Sequence, residues 1–312
     1  MGRPALSLEL LPPLRGENIS SLFKILDELV KFQPSFINIT YHQHEVRKVV
    51  RPNGSVTEKL IRKRPGTVGV CSAISQRYNI DTVAHILCSN HSKEELEDIF
   101  IELDYLGIHN VLALRGDYLK TTKKIKETDK KSYPYAIELV KQIQELNSGV
   151  FSSQYDKKLH AMQFHIGVAG YPEKHFEAPS LDNDIARLKE KIDAGAHYIV
   201  TQMFFDNNYF YSFVEKCRLA GIKVPIIPGL KPLTTFKQLQ NLPKLFHCTL
   251  PEELLSKLKK IDPSDADAFK QAGINWCTKQ ALELVEKGVE CLHFYTMSRD
   301  DVIKSVLKNV FS

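Results

Sequence analysis

The segment SKEELEDIFIELDYLGIHNVLALRGD, residues 92–117, contains in one run the unit from which the rest of the chain is built. Ser92 and Glu95 have the spacing of a capping box, and apolar residues then recur every three or four positions on one helical face. Gly107 follows where a helix would end in a left-handed residue. Residues 111–114 are apolar and predict a buried strand that stops at polar residues.

The order of helix end, glycine and apolar strand recurs at Gly195, Gly221 and Gly288. Eight short apolar runs have the near-continuous hydrophobicity of parallel strands that are covered on both faces. They span residues 6–10, 36–39, 83–87, 111–114, 166–169, 198–200, 224–227 and 292–294. Because these runs alternate with amphipathic helices, the sequence predicts parallel β/α units.

Almost every apolar run stops at a polar residue, which helps to choose between two folds. An open doubly wound sheet shares the alternation, but no run is followed by the G-x-G-x-x-G pattern of dinucleotide-binding sheets. In a closed barrel the carboxyl ends of all strands meet on the face that carries the active site. The sequence therefore predicts an α/β fold, a single (β/α)8 TIM barrel over residues 1–312. Residues 42–66 are basic and contain an Asn-Gly pair, so we expect an extended hairpin-like insertion after strand 2.

The composition restricts the classes of function. The chain has 312 residues, 43% of them hydrophobic, and a net charge of +5, which suits an anionic small substrate better than nucleic acid. A protein that binds RNA or a partner through the basic stretches 47–64 and 119–131 is the non-enzyme alternative. No aromatic residue is interleaved with those charges for base stacking, which counts against it.

The cysteines and the apolar runs indicate the cellular compartment. The six cysteines form no C-x-x-C pair, so we expect reduced thiols and no metal site. The N-terminus lacks the apolar region of a secretion signal, and no apolar run reaches the roughly 20 residues that span a bilayer. We therefore expect a cytoplasmic protein without a membrane partner.

Glu9 is the first candidate for chemistry. It lies in a leucine-rich run that ends at two prolines. A carboxyl group that projects into a barrel mouth among leucines would be partly desolvated and its pKa raised, as a general acid near neutral pH requires. A glutamate on an edge strand facing solvent is the alternative.

Arg115, Gly116 and Asp117 form the second candidate. Glycine permits a tight turn whose backbone amides can hold phosphate, and arginine adds a bidentate donor. Asp117 could place negative charge beside a ring that becomes cationic. As a bare tripeptide this pattern indicates a surface turn, and its position after a buried strand makes it more specific.

Further polar residues have both a functional and a structural interpretation. His85 lies in an apolar strand, where a hydrogen-bonded core histidine is the more frequent case. Tyr171 and His175 belong to a polar cluster at a strand end, which is typical of a site loop. Asp184 and Lys191 fall on one helix face, which a solvated helix would also explain. Gln202 is an amide beside aromatic residues, suited to contact a heteroaromatic ring.

Together these segments resemble the flavin-dependent methylenetetrahydrofolate reductases over nearly the whole chain. Nine short motifs in the same order carry the resemblance: SLELLPP (7–13), ITY (39–41), AHILC (84–88), LRGD (114–117), VAGYPEKH (168–175), TQMFFD (201–206), IIPG (226–229), FKQ (236–238) and HFYT (293–296).

The resemblance implies a (β/α)8 barrel with tightly bound FAD that reduces 5,10-methylenetetrahydrofolate to 5-methyltetrahydrofolate with NADH or NADPH, in ping-pong order. Glu9 would be the acid that opens the bridged ring, and Asp117 would favour the cationic intermediate. Gln202, Gln238 and Arg299 would bind the folate. The resemblance assigns FAD binding to Thr40, Tyr41, His85, Arg115, Gly116, Asp117, Ala136, Tyr171, His175, Asp184 and Lys191.

The resemblance also implies a bacterial-type chain that forms a homo-oligomer and has no C-terminal regulatory domain. Leu242 occupies the position of an aromatic residue that stacks on the ligand in this family, with Phe246 as the alternative. The alternative enzyme is a flavin-free TIM-barrel lyase or aldolase that uses Glu9 and Lys191 on a phosphorylated substrate. It leaves the Tyr171 and Gln202 segments unexplained.

Overall fold

A computed structural model describes residues 2–89, 91–116, 132–152, 159–296 and 300–311. Every one of the eight apolar runs forms a strand of one parallel sheet, and a separate two-stranded hairpin follows the second of them. The strands are β1 (Ala5–Leu10), β2 (Phe36–Ile39), β3 (His44–Val50), β4 (Val56–Arg62), β5 (Asp81–Leu87), β6 (Asn110–Leu114), β7 (His165–Gly170), β8 (Tyr198–Thr201), β9 (Ile226–Ile227), β10 (Gly229–Leu230) and β11 (Cys291–Tyr295).

The sheet closes into a barrel at Pro228. Its strand order is β10-β11-β1-β2-β5-β6-β7-β8-β9, and the two end strands are the halves of one stretch that this proline interrupts. Proline has no backbone N–H to donate to a neighbouring strand. Ile227 pairs with Val200 before the break, and Gly229 pairs with His293 after it. The eight-stranded barrel predicted from the sequence is therefore confirmed, with one strand broken.

Helices follow the barrel strands and cover the outside of the barrel. They are α1 (Ser20–Leu29), α2 (Val68–Tyr78), α3 (Lys93–Tyr105), α4 (Ala136–Asn147), α5 (Leu181–Asp193), α6 (Asn207–Leu219), α7 (Phe236–Phe246), α8 (Glu252–Lys259), α9 (Ala266–Glu286) and α10 (Asp300–Val310), with a 3-10 turn at Val30–Phe32. In the part of the chain that is described, none of these helices is long and apolar enough to cross a membrane.

The local signals for helix ends are confirmed. The Ser92 side chain accepts a hydrogen bond from the Glu95 backbone, and the Glu95 carboxylate accepts one from Ser92 N–H, so the capping box is complete. Four glycines between helix and strand have positive φ: Gly107 (68°), Gly195 (112°), Gly221 (81°) and Gly288 (86°). The left-handed residue lets each helix end and the chain turn directly into the next strand.

The basic segment after β2 forms an antiparallel hairpin of β3 and β4. Gly54 has a φ of +78°, and its N–H donates to the carbonyl of Arg51, which makes the predicted turn. Arg64 anchors the base of the hairpin by donating to the backbone carbonyl of Pro12. That this hairpin is an insertion relative to other family members stays a prediction.

Alternate residues of the barrel strands have different surroundings. On β1, Leu6 and Leu8 are almost fully buried in the main hydrophobic cluster beneath the helices. Ser7 and Glu9, the residues between and after them, face polar groups of the neighbouring strands. Because side chains on a strand alternate between faces, the interior face of β1 is polar.

Candidate active site

Glu9 lies inside the barrel at the carboxyl end of β1, and its side chain is 14% exposed. One carboxylate oxygen is 3.9 Å from His85 Nε2 and 3.8 Å from His293 Nε2. The alternative of an edge-strand glutamate facing solvent is therefore wrong, since this carboxyl group sits between two imidazoles.

Hydrogen bonds below Glu9 link the two imidazoles through Asn38 and Ser7. Asn38 Nδ2 donates to Ser7 Oγ over 2.9 Å, and Ser7 Oγ lies 2.8 Å from His293 Nδ1. Asn38 Oδ1 accepts from His85 Nε2 over 3.3 Å, so this nitrogen carries hydrogen. A chain of polar contacts thus connects the two rings that flank the Glu9 carboxylate.

These neighbours determine the charge state of Glu9. Burial raises the pKa of its carboxyl group, but His293, His85 and Lys231 act in the opposite sense and lower the pKa below its ordinary value. The expectation of a raised pKa is therefore wrong for this arrangement. Burial lowers the pKa of His85 to about 4, so its ring is neutral near neutral pH. At rest the site holds a carboxylate between two imidazole rings, with a lysine nearby.

Sequence reasoning missed four of these residues as site candidates: Ser7, Asn38, Lys231 and His293. Each is at most 6% exposed. Ser7, Asn38 and His293 are polar residues inside apolar strand runs. A polar residue at an inward-facing position of a strand could have identified these three. Lys231 lies directly after β10, in a position that resembles an ordinary loop lysine.

The residues after β2 connect the barrel to the hairpin. Thr40 Oγ1 lies 3.0 Å from His42 Nε2, and Tyr41 Oη lies 3.1 Å from His91 Nε2. The guanidinium of Arg62, the last residue of β4, donates to the Tyr41 hydroxyl and lies 4.9 Å from the ring centre. A cavity of about 510 Å³ opens beside Tyr41, Arg62 and His91, between the start of α2 and α3. Tyr41 is the one predicted site residue that lines it.

The turn after β6 requires glycine. Gly116 has a φ of +89°, and a Cβ added there would lie 2.2 Å from Gln43 Nε2 and 2.6 Å from Ser89 Oγ. The preceding Arg115 forms an ion pair with Glu177. The position therefore combines a left-handed glycine turn with a neighbouring cation, and its use for holding phosphate stays a prediction. Asp117 and Arg299 lie outside the described residues.

Asp184 and Lys191 do not belong to a solvated helix face. Asp184 Oδ2 accepts from the backbone N–H of His175 over 2.9 Å, and Lys191 Nζ donates to the carbonyl of Ala169 over 3.2 Å. Burial raises the pKa of Asp184 and lowers that of Lys191 to about 8. The Tyr171 and His175 rings meet edge to face at 4.8 Å. Helix α5 thus supports the loop after β7.

The side-chain amide oxygens of the two candidate glutamines accept hydrogen bonds from backbone N–H groups of this chain. Gln202 Oε1 accepts from the backbone N–H of Met203, 2.9 Å away. Gln238 Oε1 accepts from Thr234 N–H over 2.7 Å, at the start of α7. Neither side-chain NH2 group is hydrogen-bonded to another described residue.

Three other predicted positions, Ala136, Leu242 and Phe246, lie in surroundings that differ from one another. Ala136 is the first residue of α4, and the preceding Tyr135 gives the helix no side-chain cap. Leu242 is 5% exposed and packs in a second hydrophobic cluster with Met203, so it offers no stacking surface here. Phe246 is 37% exposed.

A (β/α)8 barrel with ionisable and hydrogen-bonding side chains at the carboxyl ends of its strands is the architecture of a barrel enzyme. A family model described as methylenetetrahydrofolate reductase matches residues 1–311. The chain belongs to this family.

Relatives from bacteria and plants agree with this membership. The chain is 30% identical to the 5,10-methylenetetrahydrofolate reductase of Salmonella typhimurium, over 96% of this chain and 88% of that protein. It is 32% identical to methylenetetrahydrofolate reductase (NADH) 1 of Arabidopsis thaliana, over 99% of this chain and 48% of that protein. The chain thus spans about half the length of the plant relatives that it matches.

A solved structure from Clostridium thermocellum, of a protein that binds two copies of 5-methyl-5,6,7,8-tetrahydrofolic acid, shares the fold with a TM-score of 0.60 at 14% identity. The alignment covers 99% of this chain and 94% of that one.

Proposed function

We propose that this chain reduces 5,10-methylenetetrahydrofolate to 5-methyltetrahydrofolate with NADH or NADPH, through bound FAD and in ping-pong order. The observation that carries the proposal is the Glu9 carboxylate, which is buried in the barrel mouth with imidazole Nε2 atoms at 3.8 and 3.9 Å. The proposed reaction needs one positioned acid to open the bridged ring, and a buried carboxyl group at the barrel mouth supports that role for Glu9.

The residues assigned to FAD fit a flavin dinucleotide. Gly116 has the positive φ of a tight turn, and Arg115 and Lys191 supply cations for a pyrophosphate. The amide groups at the start of α4 and Thr40, Tyr41, His85, Tyr171, His175 and Asp184 complete the donors and acceptors of the proposed site. When bound, FAD would accept a hydride from the nicotinamide and deliver it to the folate.

Glu9 performs the proton transfer in this proposal. Protonation of a nitrogen of the bridged ring lets the adjacent C–N bond break and leaves an iminium ion. Glu9 is a carboxylate at rest, so it must first take up a proton. A folate that fills the barrel mouth removes water from the carboxyl group and thereby favours its protonated form. The two imidazole rings beside Glu9 then stabilise the carboxylate that remains after transfer.

The folate would be held by the free amide NH2 groups of Gln202 and Gln238 and by Arg299, and Asp117 would stabilise the cationic ring. We further propose a cytoplasmic homo-oligomer as the working form, in keeping with the expected reduced cysteines and family membership.

The visible absorbance of the purified protein tests the proposal. We expect a flavin spectrum that bleaches with NADH or NADPH under anaerobic conditions and returns when methylenetetrahydrofolate is added. A colourless protein that FAD does not reconstitute would overturn the proposal and place the flavin-free lyase first.

A further inference from the structure

Lys231 stands at the same level of the barrel as Glu9. Leu230, the last residue of β10, pairs with Phe294 of β11. The next residue of β11, Tyr295, pairs with Glu9. Continuing this register places Lys231 beside Tyr295, two strands from Glu9. In such a register, neighbouring side chains share a face of the sheet.

The Lys231 side chain is mostly buried, and its ammonium group forms no hydrogen bond or ion pair with another described residue. The residue is 6% exposed. A buried charge without a partner is unfavourable unless something compensates it. Burial lowers the pKa of Lys231 to about 8, and Glu9 opposes this change. Lys231 in turn is one of the groups that lower the pKa of Glu9.

Among the described residues, the other titratable groups that interact electrostatically with Glu9 carry rings: His42, His85, His293 and Tyr295. Burial lowers the pKa of His42, lowers that of His85 to about 4, and raises that of Tyr295 well above its ordinary value. The rings of His85 and Tyr295 are therefore uncharged near neutral pH, whereas Lys231 supplies a full positive charge.

We propose that Lys231 is a positioning residue of the reaction, the cation that balances the Glu9 carboxylate across the barrel mouth. The inference rests on the proposed function, in which the Glu9 O–H bond breaks and a nitrogen–hydrogen bond forms on the folate. The electron pair of the breaking C–N bond goes to that nitrogen. The negative charge left on Glu9 remains beside Lys231, which keeps its own proton throughout.

The pH dependence of folate reduction distinguishes this role from a structural one. Removing the cation makes the Glu9 carboxyl group harder to ionise, so Glu9 stays protonated to higher pH. In Lys231→Met and Lys231→Gln, the pH above which folate reduction declines should therefore rise by roughly one unit. Lys231→Arg should restore the decline to its original pH. The reduction of the flavin by NADH or NADPH should keep its pH profile in all three variants.

Lys223→Met is the matched control, because Lys223 is exposed and lies before β9 at the other end of the strand. It removes the same charge and should leave both half-reactions unchanged. The rates are measured in single turnovers, with thermal unfolding of each variant as the test of folding. A rate that falls equally at every pH in Lys231→Met and Lys231→Gln, with no displacement of the decline, would overturn the proposal.

A titration of Glu9 itself separates this inference from the proposed function. Carbon-13 NMR of protein labelled at glutamate Cδ follows each carboxyl group directly, and Glu9→Gln assigns the Glu9 resonance. We expect the Glu9 titration to move to higher pH in Lys231→Met and to stay in place in Lys223→Met. A protein that shows this movement without reducing folate would refute the proposed function alone. An unmoved Glu9 titration would refute the role of Lys231, whatever the activity.

Discussion

Glu9→Gln separates the two half-reactions of the proposed cycle. Glutamine has nearly the same shape as glutamate but carries no proton that it can give up. Its amide oxygen can take the place of the carboxylate oxygen that lies 3.8 and 3.9 Å from the two imidazole Nε2 atoms. The substitution should therefore leave the barrel and the proposed FAD-binding residues intact while it removes the acid.

The expected loss follows from the role of a positioned acid. General acid catalysis contributes typically about 10²- to 10⁴-fold, so folate reduction by the reduced variant should slow by that factor. Oxidation of NADH or NADPH by the flavin needs no proton from Glu9 and should stay within about twofold of the original rate. Stopped-flow measurement of the flavin absorbance under anaerobic conditions records each half-reaction separately.

The free energy of unfolding provides an independent test of the Glu9→Gln variant. The folded state lowers the pKa of Glu9, so its ionised form contributes stability above the carboxyl group's ordinary pKa, and this contribution is lost as the pH falls. The difference in unfolding free energy between the original protein and Glu9→Gln should narrow accordingly toward acidic pH. Glu290→Gln, an exposed site just before β11, is the control. Equal slowing of both half-reactions would refute the acid role.

Other parts of the structure lead to further tests. Gly116→Ala should lower the unfolding free energy by about 1–3 kcal/mol more than Gly54→Ala, because both glycines have positive φ but only the first meets atoms within 3 Å. Equal losses in chemical denaturation would mean that the contact does not matter. Lys191→Met should reduce FAD retention in gel filtration by about tenfold, roughly 1.4 kcal/mol. Lys189→Met, at a half-buried position of α5 where the lysine pairs with Asp193, should retain FAD. Unchanged flavin content in the first variant would remove Lys191 from the cofactor site. Ser92→Ala should cost about 1 kcal/mol and lower the thermal midpoint without changing either half-reaction.

Local chemistry determined much of what could be predicted. The capping box at Ser92 and the glycines after four helices depend on residues close in sequence, so their outcome could be worked out without the fold. The broken strand at Pro228 could not be predicted in this way. The proline follows an apolar run, where a proline that simply ends a strand is an equally good interpretation. β9 pairs with β8, whereas β10 pairs with β11. These different neighbours show that the barrel closes at the break.

The pKa of Glu9 shows the limit for the site. The leucines beside it in sequence suggested an apolar environment, but side chains on a strand alternate, so Leu8 and Leu10 lie on the outer face. The groups that surround the carboxyl come from other strands, among them His85 and His293. Sequence neighbours could therefore predict that Glu9 is buried, but not what it is buried against.

The break at Pro228 also leaves a weakly paired region in the wall of the barrel. On each side of the proline a two-residue strand forms ladder pairs with a single neighbour, β8 before it and β11 after it, whereas β5 and β6 share a register of five residue pairs. Fewer ladder hydrogen bonds hold these short strands, so local opening is easiest there. Amide hydrogens of β9 and β10 should exchange with solvent deuterium faster than those of β5 and β6. The sheet would then open first next to Lys231. Such transient opening would admit water to the side of the barrel that faces Glu9.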